Sequence, residues 1–144
     1  MQLTSGPQAL KFMLAGNARL TLRSVKTGTR FTFRVRAKDV RKDEAATPPW
    51  FVSLLNGREN DSDYTFLGTI FEDRTYRHSR KSNVLPDAPS AKGFAWAWSF
   101  IVKSELPPGC EVWHEGRCGR CGRALTVPES IELGLGPECA DGGY

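Results

Sequence analysis

Apolar positions change their spacing twice along the chain. In residues 7–15, PQALKFMLA, Ala9, Leu10, Met13 and Leu14 recur at helical intervals. Pro7 suits a first turn and Gly16 a stop, so the spacing predicts a short helix packed on a sheet. Period two then takes over. Arg19-Leu20-Thr21-Leu22-Arg23 alternates, Lys26-Thr27-Gly28-Thr29 punctuates, and Arg30-Phe31-Thr32-Phe33-Arg34-Val35-Arg36 alternates again. This is the pattern of a β-hairpin with a glycine-containing turn. Leu20, Leu22, Phe31, Phe33 and Val35 fall on the core side of that hairpin. Arg19, Thr21, Arg23, Arg30, Thr32, Arg34 and Arg36 fall on the other.

Trp50–Leu55 and Tyr64–Phe71 read as a third and a fourth strand and Thr75–His78 as a short fifth, separated by polar stretches rich in turn residues. Successive strands with short or moderate links suggest an antiparallel meander. Helical spacing returns at Phe94, Ala95, Trp98, Ile101 and Val102. It predicts a helix from about Pro89 to Lys103 lying across the sheet, with Asp87 or Ser90 as its cap. Trp96 falls off the apolar stripe, which implies either burial on two sides or a contact with the segment that follows. Leu106-Pro107-Pro108-Gly109 ends the helix. The expectation is therefore an α+β fold. An antiparallel sheet of about five strands, packed by one or two helices, occupies residues 1–105, and a zinc-knuckle or ribbon-like module occupies residues 106–144.

Composition fits one ordinary domain with a small appendage: 144 residues, 40% hydrophobic and 25% charged. No stretch approaches the ~18–20 apolar residues of a membrane span. Met1–Leu14 lacks a basic segment followed by an apolar run. The simplest expectation is a soluble protein of the host-cell cytoplasm, with no membrane partner. In a reducing compartment four cysteines suggest metal rather than disulfides.

Charge changes the picture more. The net +4 hides segments of +9 over residues 1–42, −6 over 43–73, +5 over 74–103 and −4 over 104–144. Five arginines share the outward hairpin face: Arg19, Arg23, Arg30, Arg34 and Arg36. Arginine's planar fork suits phosphate, and like charges across paired strands are unfavourable without an anion between them. A basic front end of this kind suits nucleic acid. The bland alternative is a solvated face whose charges meet the acids of the next segment.

All four cysteines, Cys110, Cys118, Cys121 and Cys139, lie in the last 35 residues. Cys118-Gly119-Arg120-Cys121-Gly122-Arg123 is suited to a zinc knuckle, because two intervening residues let both thiolates reach one tetrahedral ion. Gly122 allows the positive φ that turns backbone N–H groups toward the sulfurs. Gly119 and Gly122 disfavour the helix that a redox C-x-x-C opens. Cys139 follows Gly134, Gly136 and Pro137, which let the backbone approach closely. The fourth ligand is favoured to be His114, four positions before Cys118, with Cys110 or Asp141 as alternatives. The predicted set is His114, Cys118, Cys121 and Cys139 around a structural Zn²⁺ that folds a tail with few large apolar residues.

The run from His114 through Cys118 to Cys139 resembles the signature of an uncharacterised family common in phages, plasmids and actinobacterial genomes. Its pattern is a histidine, C-x-x-C-G-R, Leu-Thr, Pro-x-Ser, then Gly-x-Gly-Pro and a last cysteine. His114, Cys118, Cys121, Gly122, Arg123, Leu125, Thr126, Pro128, Ser130, Gly134, Gly136, Pro137 and Cys139 carry it. The likeness covers about a fifth of the chain. It implies a mobile-element origin and supports His114 as a ligand, but implies no activity.

No G-x-S-x-G, phosphate loop or H-E-x-x-H is present, and only His78 and His114 could serve as imidazole bases. The sequence therefore favours a non-catalytic, zinc-containing nucleic-acid-binding protein. Arg19, Arg23, Arg30, Arg34, Arg36, Arg77, Arg80 and Lys81 would meet phosphates, Arg120 and Arg123 would add contacts from the knuckle, and Tyr76 or Trp96 would stack on bases. The alternative is a module that inhibits or redirects a host protein through the acidic stretches Asp43–Glu44 and Glu59–Asp63.

Overall fold

The computed structural model describes residues 2–39, 46–57 and 63–115. Among them run β1 (Gln2–Leu3), α1 (Gly6–Met13), β2 (Asn17–Ser24), β3 (Arg30–Asp39), β4 (Thr47–Leu55), β5 (Tyr64–Ile70), β6 (Tyr76–His78), α2 (Pro89–Ile101) and β7 (Cys110–His114). The strands form one antiparallel sheet in the order β1-β7-β2-β3-β4-β5-β6. With two helices this is an α+β architecture, and its sheet has seven strands rather than about five.

The central hairpin follows from its alternation. Leu20 pairs with Phe33 and Ala18 with Val35 on one face, Arg19 with Arg34 and Thr21 with Thr32 on the other. Ala18, Leu20, Leu22, Phe33 and Val35 are buried, and Phe31 packs at the margin of the same core. Burying such side chains stabilises the sheet by about 1.5–3 kcal/mol each. Both helices cover this face. In α1 the Ser5 hydroxyl caps the first turn by accepting from the Gln8 N–H at 3.2 Å, and Gln8 Oε1 reaches back to accept from the Thr4 N–H at 3.2 Å. α1 then buries Ala9, Phe12 and Met13. α2 buries Ser90, Ala91, Phe94, Ala97, Trp98 and Ile101; of the predicted stripe Phe94, Trp98 and Ile101 are buried, Val102 is half-buried and Ala95 is exposed. Phe94 packs against Phe33 and Tyr76, with ring centroids 5.0 and 4.9 Å away.

Several local expectations are corrected. Ala88 is the N-cap of α2 and no side chain caps it, because Ser90 has turned inward and is buried. β4 begins at Thr47, ahead of the two prolines that read as the end of a loop. Pro48 and Pro49 are tolerated because they stand at the start of the strand, beyond the register shift that follows Ala37. β1 is two residues long, too short for a periodic signal. β7 pairs with β2 on one side and β1 on the other, which brings the first part of the 106–144 segment into the sheet. Residues 116–144 lie outside the described residues.

Gly6 marks a close approach. A Cβ there would overlap the Ser104 carbonyl, so the first turn of α1 lies directly on the chain leaving α2. No helix among the described residues is long and apolar enough to cross a membrane.

Candidate functional site

Because α1 and α2 lie on one side, strand register alone determines what the other side presents. Four lateral rows cross it. One runs Asn17, Arg36, Phe51, Thr69, Arg77. The next runs Arg19, Arg34, Ser53, Phe66. Gln2, Trp113, Thr21 and Thr32 form a third, and Glu111, Arg23 and Arg30 a fourth. All five hairpin arginines predicted for this face are on it, and β6 adds Arg77. Two pairs, Arg19 with Arg34 and Arg23 with Arg30, set arginine directly opposite arginine, a placement that disfavours the folded chain unless anions relieve it.

Part of that repulsion is answered within the chain. Arg23 donates to the Glu111 carboxylate at 2.7 Å. The Arg34 guanidinium lies 4.6 Å from the centre of the Tyr64 ring, a cation–π contact. Arg34 titrates below the usual arginine range, first through partial burial and then through the positive fields of Arg36 and Arg19. Like charge is therefore concentrated where Arg19, Arg34 and Arg36 meet. Thr21 and Thr32 share a hydroxyl hydrogen bond of 2.8 Å between the arginine pairs. Arg30, Arg36 and Arg77 are exposed. Arg80 and Lys81 are exposed in the turn after β6, where the Lys81 N–H donates to Ser79 Oγ at 3.1 Å. Arg120 and Arg123 lie outside the described residues.

Neither aromatic expected to stack on bases stands on this face. Tyr76 is on the helix side, packed on Phe94 and lying over Gly68, where a Cβ would meet its phenol. Burial pushes its hydroxyl well above the ordinary tyrosine range. Trp96 is 43% exposed and lies edge-on to Phe100 at 5.3 Å. It borders an apolar cavity of about 410 Å³ with Phe31, Gly93 and Cys110, also on the helix side. The arginine face also carries half-buried Trp113 and Tyr64, but the exposed aromatics in its four rows, among the described residues, are Phe51 and Phe66, 39% and 36% exposed. Their ring centroids are 6.3 Å apart with planes at 65°. Alternation in Trp50-Phe51-Val52-Ser53-Leu54 would have placed Phe51 outward. Phe66 was masked by a register shift: Val52 faces Gly68 and Ser53 faces Phe66, so Leu67 is an extra residue. Leu67 is fully buried, which puts apolar side chains on both faces of β5.

His78 is tied into the chain. Its Nε2–H donates to the Val84 carbonyl at 2.7 Å.

Of the predicted metal ligands, His114 alone is among the described residues. It ends β7, is buried at 3% exposure and lies beside Phe12 with ring centroids 5.5 Å apart. Cys118, Cys121 and Cys139 lie outside them, as does Asp141. Cys110 begins the same strand, opposite Ser24, whereas His114 is opposite Leu20. Four extended residues separate the two by about 13 Å, so one ion can take one of them and not both. The Cys110 Sγ–H donates to the Glu111 carbonyl at 3.6 Å, and burial raises its pKa. An imidazole with three thiols matches the donor set zinc prefers, and His114 is the end of β7 from which the chain continues toward Cys118.

Residues 113–142 match a family described as "Family of unknown function (DUF6011)". The match spans the predicted ligands and begins at Trp113, inside β7. No curated protein and no solved structure matches the chain.

Proposed function

We propose that this chain is a non-catalytic nucleic-acid-binding protein of the phage or plasmid type, working in the host-cell cytoplasm, with a structural Zn²⁺ held by His114, Cys118, Cys121 and Cys139. The observation that carries the reading is the placement of Arg19, Arg34, Arg36 and Arg77 in adjacent rows of the face opposite α1 and α2. A phosphodiester is an anion that matches the guanidinium fork, and it would offset the like charge of Arg34 and Arg36 on one side of β3. Zinc in this reading gives the tail its shape, and the ligand-bearing strand β7 ties that tail to the edge of the arginine face. The use of the His78 imidazole to hold Val84 supports a role without acid–base chemistry.

The test is a mobility shift of labelled DNA and RNA at two salt concentrations. Binding is expected at low salt with a steep loss as salt rises, because each neutralised phosphate releases counterions. No shift with any nucleic acid at low salt overturns the reading. Metal analysis of the folded, reduced protein is expected to give about one zinc per chain.

A further inference from the structure

Resting on that reading, we infer that the nucleic acid bound is a single strand, with its phosphates along β3 and two neighbouring bases laid on Phe51 and Phe66. The argument begins with what a phenyl ring can recognise. It has no donor or acceptor for a base edge, and edges are what a duplex presents in its grooves. The faces of bases in a duplex are hidden in a continuous stack. An exposed phenylalanine gains its full contact only from a base whose face is free, as in a single strand.

The layout fits that occupant. Arg34 and Arg36 stand two residues apart on the same side of β3, about 6.8 Å along the strand. Phe51 lies opposite Arg36 on β4, and Phe66 lies in the row that begins with Arg19 and Arg34. Each phenyl ring therefore has an arginine on β3 in its own row. A backbone following β3 puts phosphates on Arg34 and Arg36 and turns its bases toward β4 and β5. The 65° between the two ring planes requires the two bases to lie at an angle to one another. A duplex cannot do this without unstacking, whereas a single strand can. Arg77, across Thr69 from Phe51, meets the outer edge of the base on that ring. Both rings are already more than a third exposed, so among the described residues none has to be displaced to occupy them.

The experiment uses the full zinc-loaded chain with labelled oligo(dT) and oligo(U) of about a dozen nucleotides, a length within the range one such platform covers, against a blunt duplex of equal length. The single strands are expected to bind more tightly than the duplex. Phe51→Ala and Phe66→Ala are each expected to weaken oligonucleotide binding roughly 5- to 100-fold, with the salt slope and melting temperature held. Phe51→Tyr is expected to keep binding that Phe51→Leu loses, which separates stacking from mere apolar contact. Equal affinity for duplex, or phenylalanine variants that bind like the parent while Arg34→Ala with Arg36→Ala does not, overturns this inference and leaves the proposed function standing. Failure of every nucleic acid to bind, with a nuclease-resistant protein partner instead, overturns both.

Discussion

The two faces of the central hairpin come from the same two strands and have opposite chemistry. On one, Leu20 meets Phe33 beneath α1 and α2; on the other, Arg19 meets Arg34 with neither of those helices above. The helix-covered face holds the chain together by excluding water. On the arginine face like charges directly across strands repel, answered in part by the Arg23–Glu111 pair and the Arg34–Tyr64 contact. The sheet thus separates apolar packing from positive charge residue by residue.

That division can be broken from either side. The largest effect is expected in the core: Phe94→Ala removes the ring packed on Phe33 and Tyr76 and should cost about 3–5 kcal/mol, read by denaturant unfolding. Gly6→Ala should cost about 1–3 kcal/mol, because its methyl group must displace the Ser104 backbone. The arginine face should respond differently. Arg34→Ala with Arg36→Ala is expected to leave stability within about 0.5 kcal/mol. It should also lower the salt slope for a single strand by about 1.4, two phosphates' worth. Loss of stability comparable to the core variant would mean that the face is structural.

Tyr76→Phe tests the covered face at high pH. Burial raises the phenol's pKa in the folded chain. The folded form therefore keeps its proton where the unfolded form loses it, and stability falls as pH rises above about 10. Removing the hydroxyl is expected to flatten that alkaline loss and change little near neutrality. The smallest effect concerns the metal. Cys110→Ser is expected to leave zinc content unchanged, since Cys110 is at the far end of β7 from His114, whereas Cys121→Ser should abolish it.

How much of this was legible in the sequence depended on whether a signal was local. The β2–β3 hairpin was readable because Arg19–Arg23 and Arg30–Arg36 alternate without interruption, and α2 because Phe94, Trp98 and Ile101 keep helical spacing. β1 was hidden by its length. β7 alternates through Glu111-Val112-Trp113-His114, but its position after Pro107-Pro108-Gly109 made it read as the opening of a separate module. Its partners, Gln2–Leu3 and Leu20–Ser24, lie at the other end of the chain, 86 or more residues away (Cys110 pairs with Ser24), and no local pattern encodes such a pairing. Phe66 escaped for a different reason. The extra residue Leu67 breaks period two inside β5, so faces could be assigned only after the register with β4 was known. The candidate site divides in the same way: its arginines followed from alternation, and its aromatics depended on pairing.

The insertion of β7 between β1 and β2 has a consequence for synthesis. When the first hundred residues have left the ribosome, Gln2–Leu3 still has no neighbour to pair with, and the outer edge of β2 presents a row of bare amides and carbonyls. Such an edge is a template for another nascent chain. Completion of the sheet waits for Cys110–His114, so the segment that leads into the cysteine-rich tail is also the one that closes a site of premature association.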